Sequence, residues 1–233
     1  MKKIVIIPAY NESENIVNTV KEIKEKASDF DYLVINDCSS DKTLEILESN
    51  HLNYINLPVN LGIGGAVQTG YKYALEHEYD MAVQVDGDGQ HDPAYLHSLE
   101  ETLIKENADM VIGSRFIKNE GFQSTFARRM GIVYFTKMIK ALTGTTITDP
   151  TSGFRLVNKD VIALFANDYP RDYPEPESIV ALLKRKKKVI EVPVQMKERQ
   201  GGVSSIRLWN SVYYMIKVSI AILVECSRTY KEN

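Results

Sequence analysis

Two carboxylates separated by a single glycine, Asp86-Gly87-Asp88, followed by Gly89-Gln90-His91-Asp92-Pro93, form the stretch of this chain best suited to chemistry. They come directly after Met81-Ala-Val-Gln-Val85, an apolar, β-rich run that reads as a buried strand. The pair therefore leaves a strand end in a turn, with no bulky side chain between its members. Such a turn suits a hard divalent cation, Mg or Mn, which takes oxygen ligands and is commonly held by one or two carboxylates plus a substrate's phosphates. A calcium-binding EF-hand is excluded, because its sixth and twelfth places require Gly and Glu and are here His91 and His97. An acidic turn that merely ends a strand is the plainer alternative.

Arg115, Arg128, Arg129, Arg155 and Arg199 form a second constellation. Guanidinium groups make bidentate contacts to phosphate and stay charged at any working pH. Each, taken alone, reads equally well as a structural salt-bridge residue. Gly62-Ile-Gly64-Gly65-Ala66 is a poor dinucleotide fingerprint, since it follows a third strand and Val67 stands where the final Gly or Ala belongs. Its glycines either leave backbone amides free for a phosphate or ribose, or allow close helix–sheet packing.

The elements that must position these groups alternate. Ile4–Ile7, Tyr32–Ile35, Tyr54–Leu57, Met81–Val85 and Asp109–Gly113 read as strands. Between them lie helical patterns, one capped by Asn11 with Ile16, Val17, Val20 and Ile23 on a face, one capped by Ser40, one over Gly62–Glu78 and one from about Pro93 to Glu106. This alternation predicts an α/β fold with a mostly parallel, Rossmann-like central sheet flanked by helices. Ligands on such sheets sit beyond the carboxyl ends of the strands, where Tyr10-Asn11-Glu12, Asn36-Asp37 and Asp86-Gly-Asp88 all fall. From about residue 120 the alternation is lost. A helical stretch over Thr125–Leu142, a strand over Val189–Val194 and a last long helix follow.

With 233 residues the chain fits one large domain, and its net charge of -3 gives no case for nucleic acid as a partner. Cys38 and Cys226 are too few and too far apart for a disulfide framework, which places the protein in a reducing cytoplasm.

The ordered set Ile6-Ile-Pro8-Ala9-Tyr10-Asn11-Glu12, Asn36-Asp37-Cys-Ser-Ser-Asp41-Lys-Thr43, Asn60-Leu-Gly62 and Asp86-Gly-Asp88-Gly-Gln90 resembles family 2 glycosyltransferases. Gly113-Ser-Arg115, Ser152-Gly-Phe-Arg155 and Glu198-Arg199-Gln-Gly-Gly202-Val-Ser204 extend the likeness, which is nearest to the dolichyl- and polyprenyl-phosphate sugar synthase branch. The resemblance implies a GT-A domain over residues 1–205, a nucleoside-diphosphate sugar donor, a divalent metal and inversion at the anomeric carbon. It implies that Pro8, Ala9, Tyr10, Glu12, Asp37, Gly62, Asp86 and Gly87 line the donor nucleotide, and that Asp86, Asp88 and Gln90 hold the metal and diphosphate. Arg115 and Arg129 match the arginines that grip the lipid phosphate, and Arg199 matches one that bridges the donor and acceptor phosphates. Where the branch carries Ser four residues beyond the second arginine, this chain has Val133.

Asp88, Asp149 and Arg199 are the catalytic candidates. A sugar hydroxyl as acceptor would need a carboxylate base, whereas a lipid phosphate is already an anionic nucleophile. Asp149 then orients the sugar or the arginines, and Glu175 and Glu177 are alternative carboxylates. The last segment, 206–233, carries a wide apolar helix face that reads as a core helix or as one lying in a membrane interface. Lys217 near its centre carries a penalty of roughly 2.5–3.5 kcal/mol for insertion, which argues against a membrane span. Lys184-Arg-Lys-Lys-Lys188 reads as a solvated helix end or as an attraction to anionic lipid. The expectation is a polyprenyl-phosphate glycosyltransferase at the cytoplasmic membrane face, with a separate small membrane protein as a possible anchor. The rivals are a same-fold enzyme acting on a sugar hydroxyl in polysaccharide synthesis and a non-catalytic nucleotide-binding subunit.

Overall fold

The computed structural model describes residues 1–118, 126–197, 208–228 and 230. Strands β1 (Lys3–Ala9), β2 (Asp31–Asn36), β3 (Tyr54–Asn56), β4 (Met81–Gln84), β5 (Met110–Ser114), β6 (Arg155–Asn158) and β7 (Val189–Pro193) form one sheet in the order β3-β2-β1-β4-β6-β5-β7. Only β6 runs against its neighbours, β4 and β5. The expected α/β architecture with a mostly parallel sheet is therefore present. β1 shows why the sheet is covered on both faces. Ile4 and Ile6 pack into one core with Val67 and Tyr71, while Val5 and Ile7 pack into the other with Ile16, Val20 and Leu99. Side chains alternate across a strand, so an unbroken apolar run demands helices on both sides.

Those helices are α1 (Ile16–Lys26), α2 (Thr43–Ser49), α3 (Gly62–Glu76), α4 (Leu96–Lys105, after a short 3₁₀ turn at Pro93–Tyr95), α5 (Phe126–Thr143), α6 (Lys159–Asn167), α7 (Pro174–Lys184) and α8 (Leu208–Ser227). β6 and α6 are absent from the sequence reading, which reached α7 only through the helix end at Lys184–Lys188. Their local signals are short: Asn158 caps α6, its side-chain oxygen accepting from the Val161 amide at 3.0 Å, and Pro174 opens α7.

Two expected caps are also corrected. α1 begins only at Ile16 and owes nothing to Asn11, and α2 is preceded by Asp41, whose Oδ1 accepts from the Thr43 amide at 2.9 Å, rather than by Ser40. Asn11 adopts a left-handed φ of 57°. Its Oδ1 accepts from the Ser40 amide at 2.8 Å and the Asp41 amide at 3.3 Å. The loop after β1 is thus tied to the loop after β2.

The last helix is part core and part surface. Val218 and Ile222 lie in the core, whereas Tyr213, Ile216, Ile220, Leu223 and Val224 are exposed. Lys217, expected to disrupt a membrane span, pairs with Asp172 at 2.7 Å. Among the described residues no helix is long and apolar enough to cross a membrane.

Candidate active site

The ends of β1, β2 and β4 bring three of the sequence motifs together. Pro8 and Ala9 close β1 as buried residues, and Tyr10 is exposed beyond them. Glu12 is buried, and its Oε2 accepts from Asn15 Nδ2 at 2.9 Å. Its backbone amide donates to Thr43 Oγ1 at 2.9 Å, so β1's loop rests on α2. Asp37 follows β2 and accepts from the Leu61 amide at 2.7 Å. Burial pushes its carboxyl above the usual range, and the Leu61 and Gly62 amides pull the other way.

Asp86-Gly87-Asp88 leaves β4 directly against this group. A Cβ added to Gly87 would lie 3.1 Å from Pro8 O and 3.4 Å from Glu12 Cγ. Glycine at this place lets the acidic turn close onto the expected nucleotide-side residues. Thr19 Oγ1 donates to Gly87 O at 3.2 Å, Asp88 Oδ1 accepts from the Gln90 amide at 3.1 Å, and Gly89 supplies a left-handed φ of 74°. Asp86, Asp88 and Gln90 are all half-buried.

The donor set fits a hard cation. Gln84 Nε2 donates to Asp86 Oδ1 at 2.9 Å, orienting the carboxylate. Gly153 lines the cradle, since a Cβ there would come within 3.3 Å of both Asp86 oxygens and 2.8 Å of Gln84 Nε2. Gln84 was not singled out from the sequence. Its signal was a polar residue inside an apolar strand, which must find a partner when buried. Among the described residues, Asp29, His97 and Glu100 also form a carboxylate–imidazole group, but Lys3 already pairs with Asp29 and Glu100 there.

The arginines separate into different tasks. Arg115, just past β5, meets Asp149 through Nε–Oδ2 and Nη2–Oδ1 contacts of 2.7 Å each. Its Nη2 also donates to Thr151 Oγ1 at 3.1 Å. Asp149 is fully buried and in turn receives the Arg115 amide at 3.2 Å. A carboxylate so placed orients an arginine, one of the roles the sequence left open for Asp149. Glu191, whose own pKa is raised by burial, receives the Thr148 and Asp149 amides at 2.7 and 2.8 Å and so holds this corner.

Arg155 is not a phosphate ligand. It is 1% exposed, and its guanidinium donates to Ser152 O, Pro150 O, Glu175 O and Ser178 Oγ at 2.6–3.2 Å. Two of the residues it anchors, Pro150 and Ser152, lie between Asp149, which holds Arg115, and Gly153, which adjoins Asp86. One short segment thus sets both halves of the site. Arg129 is exposed on α5 and lines a cavity of about 270 Å³ with Phe116, Ile132, Val133, Thr136, Lys137 and Thr148. Arg199 and the side chain of Arg128 lie outside the described residues.

Of the glycines opening α3, Gly64 packs tightly against the Pro170–Arg171 backbone. The Gly64 amide donates to Arg171 O at 3.1 Å, and a Cβ there would fall 2.1 Å from Pro170 O. Gly62 has a left-handed φ of 75° and donates its amide to Asn60 Oδ1 at 3.1 Å. The basic run is largely paired: Lys187 meets Asp109 and Asp160 at 3.1 Å each, and Lys188 meets Glu106 at 3.3 Å. It sits where β5 and β7 begin, at the opposite end of the strands from the acidic turn.

Residues 4–165 match the family described as Glycosyl transferase family 2. An undecaprenyl-phosphate mannosyltransferase of Micrococcus luteus is 28% identical over 215 residues, covering 88% of each chain. A UDP-N-acetylglucosamine–dolichyl-phosphate N-acetylglucosaminyltransferase of Methanococcus voltae is 29% identical, over 82% of this chain and 83% of that one. The crystal structure of glucosyl-3-phosphoglycerate synthase from Mycobacterium tuberculosis, in complex with Mn2+, uridine diphosphate and phosphoglyceric acid, superposes with a TM-score of 0.75. It covers 99% of this chain and 80% of that one at 17% identity, a likeness of fold.

Proposed function

The chain belongs to glycosyl transferase family 2, and on that basis we propose that it moves one sugar, with inversion, from a nucleoside diphosphate onto a polyprenyl phosphate. The two relatives named above carry activities of this kind toward undecaprenyl and dolichyl phosphate. The observation that carries the reading is the segment 149–153, which sets an arginine on one side and a carboxylate turn on the other. An anionic nucleophile held by Arg115 and Arg129 attacks the anomeric carbon, and the bond from that carbon to the nucleoside diphosphate breaks.

Pro8, Ala9, Tyr10, Glu12, Asp37, Gly62 and Gly87 form the nucleotide side in this reading. Asp86, Asp88 and Gln90 hold a divalent ion, Mg or Mn, which neutralises charge on the departing diphosphate. Asp149 fixes the orientation of Arg115, which meets the acceptor phosphate in this reading. A phosphate nucleophile needs no proton removed, which agrees with the burial of Asp149.

The acceptor's lipid also explains the exposed apolar surface. Met130, Val133 and Tyr134 on α5 lie open, as do Tyr213, Ile216, Ile220, Leu223 and Val224 on α8. Tyr134 and Ser219 join the two helices by a 3.0 Å hydroxyl contact. Exposed apolar patches of this kind mark membrane or protein contacts. Peripheral seating on a bilayer would bring the lipid phosphate to the cavity beside Arg129, where Val133 stands in place of a serine.

The test is a panel of UDP-, GDP- and dTDP-sugars assayed with undecaprenyl phosphate, dolichyl phosphate and free sugars. Sugar-labelled lipid phosphate from one donor is the expected product. Efficient transfer to free sugar hydroxyls with none to lipid phosphate would overturn the proposal, and binding of nucleotide without any transfer or donor hydrolysis would mark a non-catalytic subunit.

A further inference from the structure

His91 lies inside the acidic turn's own hydrogen-bond network, yet it belongs to none of the proposed ligand sets. It is 4% exposed. Its Nδ1 accepts from the backbone amide of Asp86 at 3.0 Å, so the ring proton sits on Nε2. That Nε2 faces Asp86 Oδ2 at 3.7 Å, while Gln84 holds Oδ1 at 2.9 Å. The imidazole lies flat on Phe154, with centroids 5.0 Å apart and an interplanar angle of 12°. Phe154 is itself pressed against Gly113, where a Cβ would come within 2.9 Å of the phenyl ring. The backbone around His91 is tied down as well. His91 forms a bridge with Met196, and Gln90 O accepts from the Lys197 amide at 2.9 Å.

We propose that His91 is a positioning residue for the metal: its Nδ1 accepts from the Asp86 amide and so fixes the backbone from which the Asp86 carboxylate, itself held by Gln84, is presented to the ion. The inference rests on the reading of Asp86 and Asp88 as metal ligands. Its physical basis is that a ligating carboxylate needs its outer contacts fixed, and loss of such a contact typically weakens metal binding about 10- to 100-fold. The turn spans only six residues from Asp86 to His91, and the imidazole braces it from within.

Two variants separate the parts of the strut. In His91→Asn the amide oxygen stands near the place of Nδ1 and still accepts from the Asp86 amide. In His91→Phe the stack on Phe154 is kept and the acceptor is lost. Mn2+ is titrated into the full chain with UDP or GDP present, and binding is followed by the enhancement of water-proton relaxation. Asp88→Asn serves as the control for the ligand assignment, and thermal melting establishes that each variant is folded.

The expected result is a Mn2+ affinity for His91→Asn within about threefold of the unsubstituted chain, and a loss of roughly 10- to 100-fold for His91→Phe. Equal Mn2+ affinity in His91→Phe and the unsubstituted chain overturns the inference. An equal loss in His91→Asn and His91→Phe does so too. Should His91→Phe not fold, His91→Asn decides alone, with retained affinity supporting the strut and lost affinity refuting it. If the unsubstituted chain itself binds no Mn2+, or Asp88→Asn binds it unchanged, the metal reading fails instead.

Discussion

Asp149 and Arg115 face each other through two parallel N–H···O contacts of 2.7 Å, with the carboxylate fully buried and the guanidinium at the rim. Breaking a buried pair by removing one partner typically costs about 3–5 kcal/mol, because the other charge is left uncompensated. Asp149→Asn should therefore lower both the melting temperature and transfer to polyprenyl phosphate. Arg115→Ala should reduce transfer roughly tenfold to hundredfold, the loss expected for a charge-assisted contact of about 1.5–3 kcal/mol. The double variant should be little worse in transfer than Arg115→Ala alone. Additive losses would show that Asp149 acts on the substrate by itself.

Chelation tests the acidic turn directly. EDTA should abolish transfer, and added Mn2+ or Mg2+ should restore it. Asp88→Asn should lose most of the rate while melting near the unsubstituted protein, since the half-exposed side chain belongs to no core. Full activity in chelator would remove the metal from the account.

Gly153 offers a steric test of the same cradle. In Gly153→Ala the new methyl would lie 2.8 Å from Gln84 Nε2 and 3.3 Å from both Asp86 oxygens. Overpacking of this kind costs about 1–3 kcal/mol. The apparent requirement for metal in the transfer assay should rise well before any loss of fold is visible by circular dichroism. An unchanged metal requirement would show that the loop yields without moving Asp86.

The pH dependence of stability should report the charges that brace the turn against α1. Burial raises the Asp92 carboxyl, but Lys26, the Ala94 amide and Lys197 outweigh it and hold the pKa below 3.8. Glu22 is likewise held below 4.5, with Lys197 and Lys26 outweighing its burial. A depressed carboxylate pKa contributes stability that is present above the unfolded value and lost as pH falls through the folded one. The melting-temperature difference between the unsubstituted protein and Lys26→Met should be largest near neutral pH and shrink below about pH 4. A difference that is constant from pH 7 to 3 would mean that packing of the Lys26 stem, not its charge, is responsible.

Membrane seating should depend on the open face of α8. Ile216 and Ile220 are 57% and 56% exposed, so Ile216→Glu and Ile220→Glu should leave the melting temperature nearly unchanged. Their flotation with liposomes should fall, because each substitution removes apolar contact and adds a charge at the interface. Equal flotation of the variants and the unsubstituted protein would take the α8 face out of the proposal. The basic run is paired with Asp109, Asp160 and Glu106, so substituting Lys187 should affect stability more than flotation.

What the sequence determined by itself is local: unbroken apolar runs that must be strands covered on both faces, and polar turns at their ends. Within Asp86-Gly-Asp88-Gly-Gln90 the local part is the left-handed angle that Gly89 opens and the contact of the Gln90 amide with Asp88 Oδ1. The tertiary structure decided what each long, charged side chain does. Arg115 and Arg155 look alike in sequence, yet one meets Asp149 at the rim and the other is buried among carbonyls. The use of Asn11 to tie two loops, and the placing of antiparallel β6 between β4 and β5, are decided at the same level. The reason is that the energy of a polar or charged side chain depends on burial and on partners, and those partners lie 34 residues away for Arg115 and 29 for Asn11.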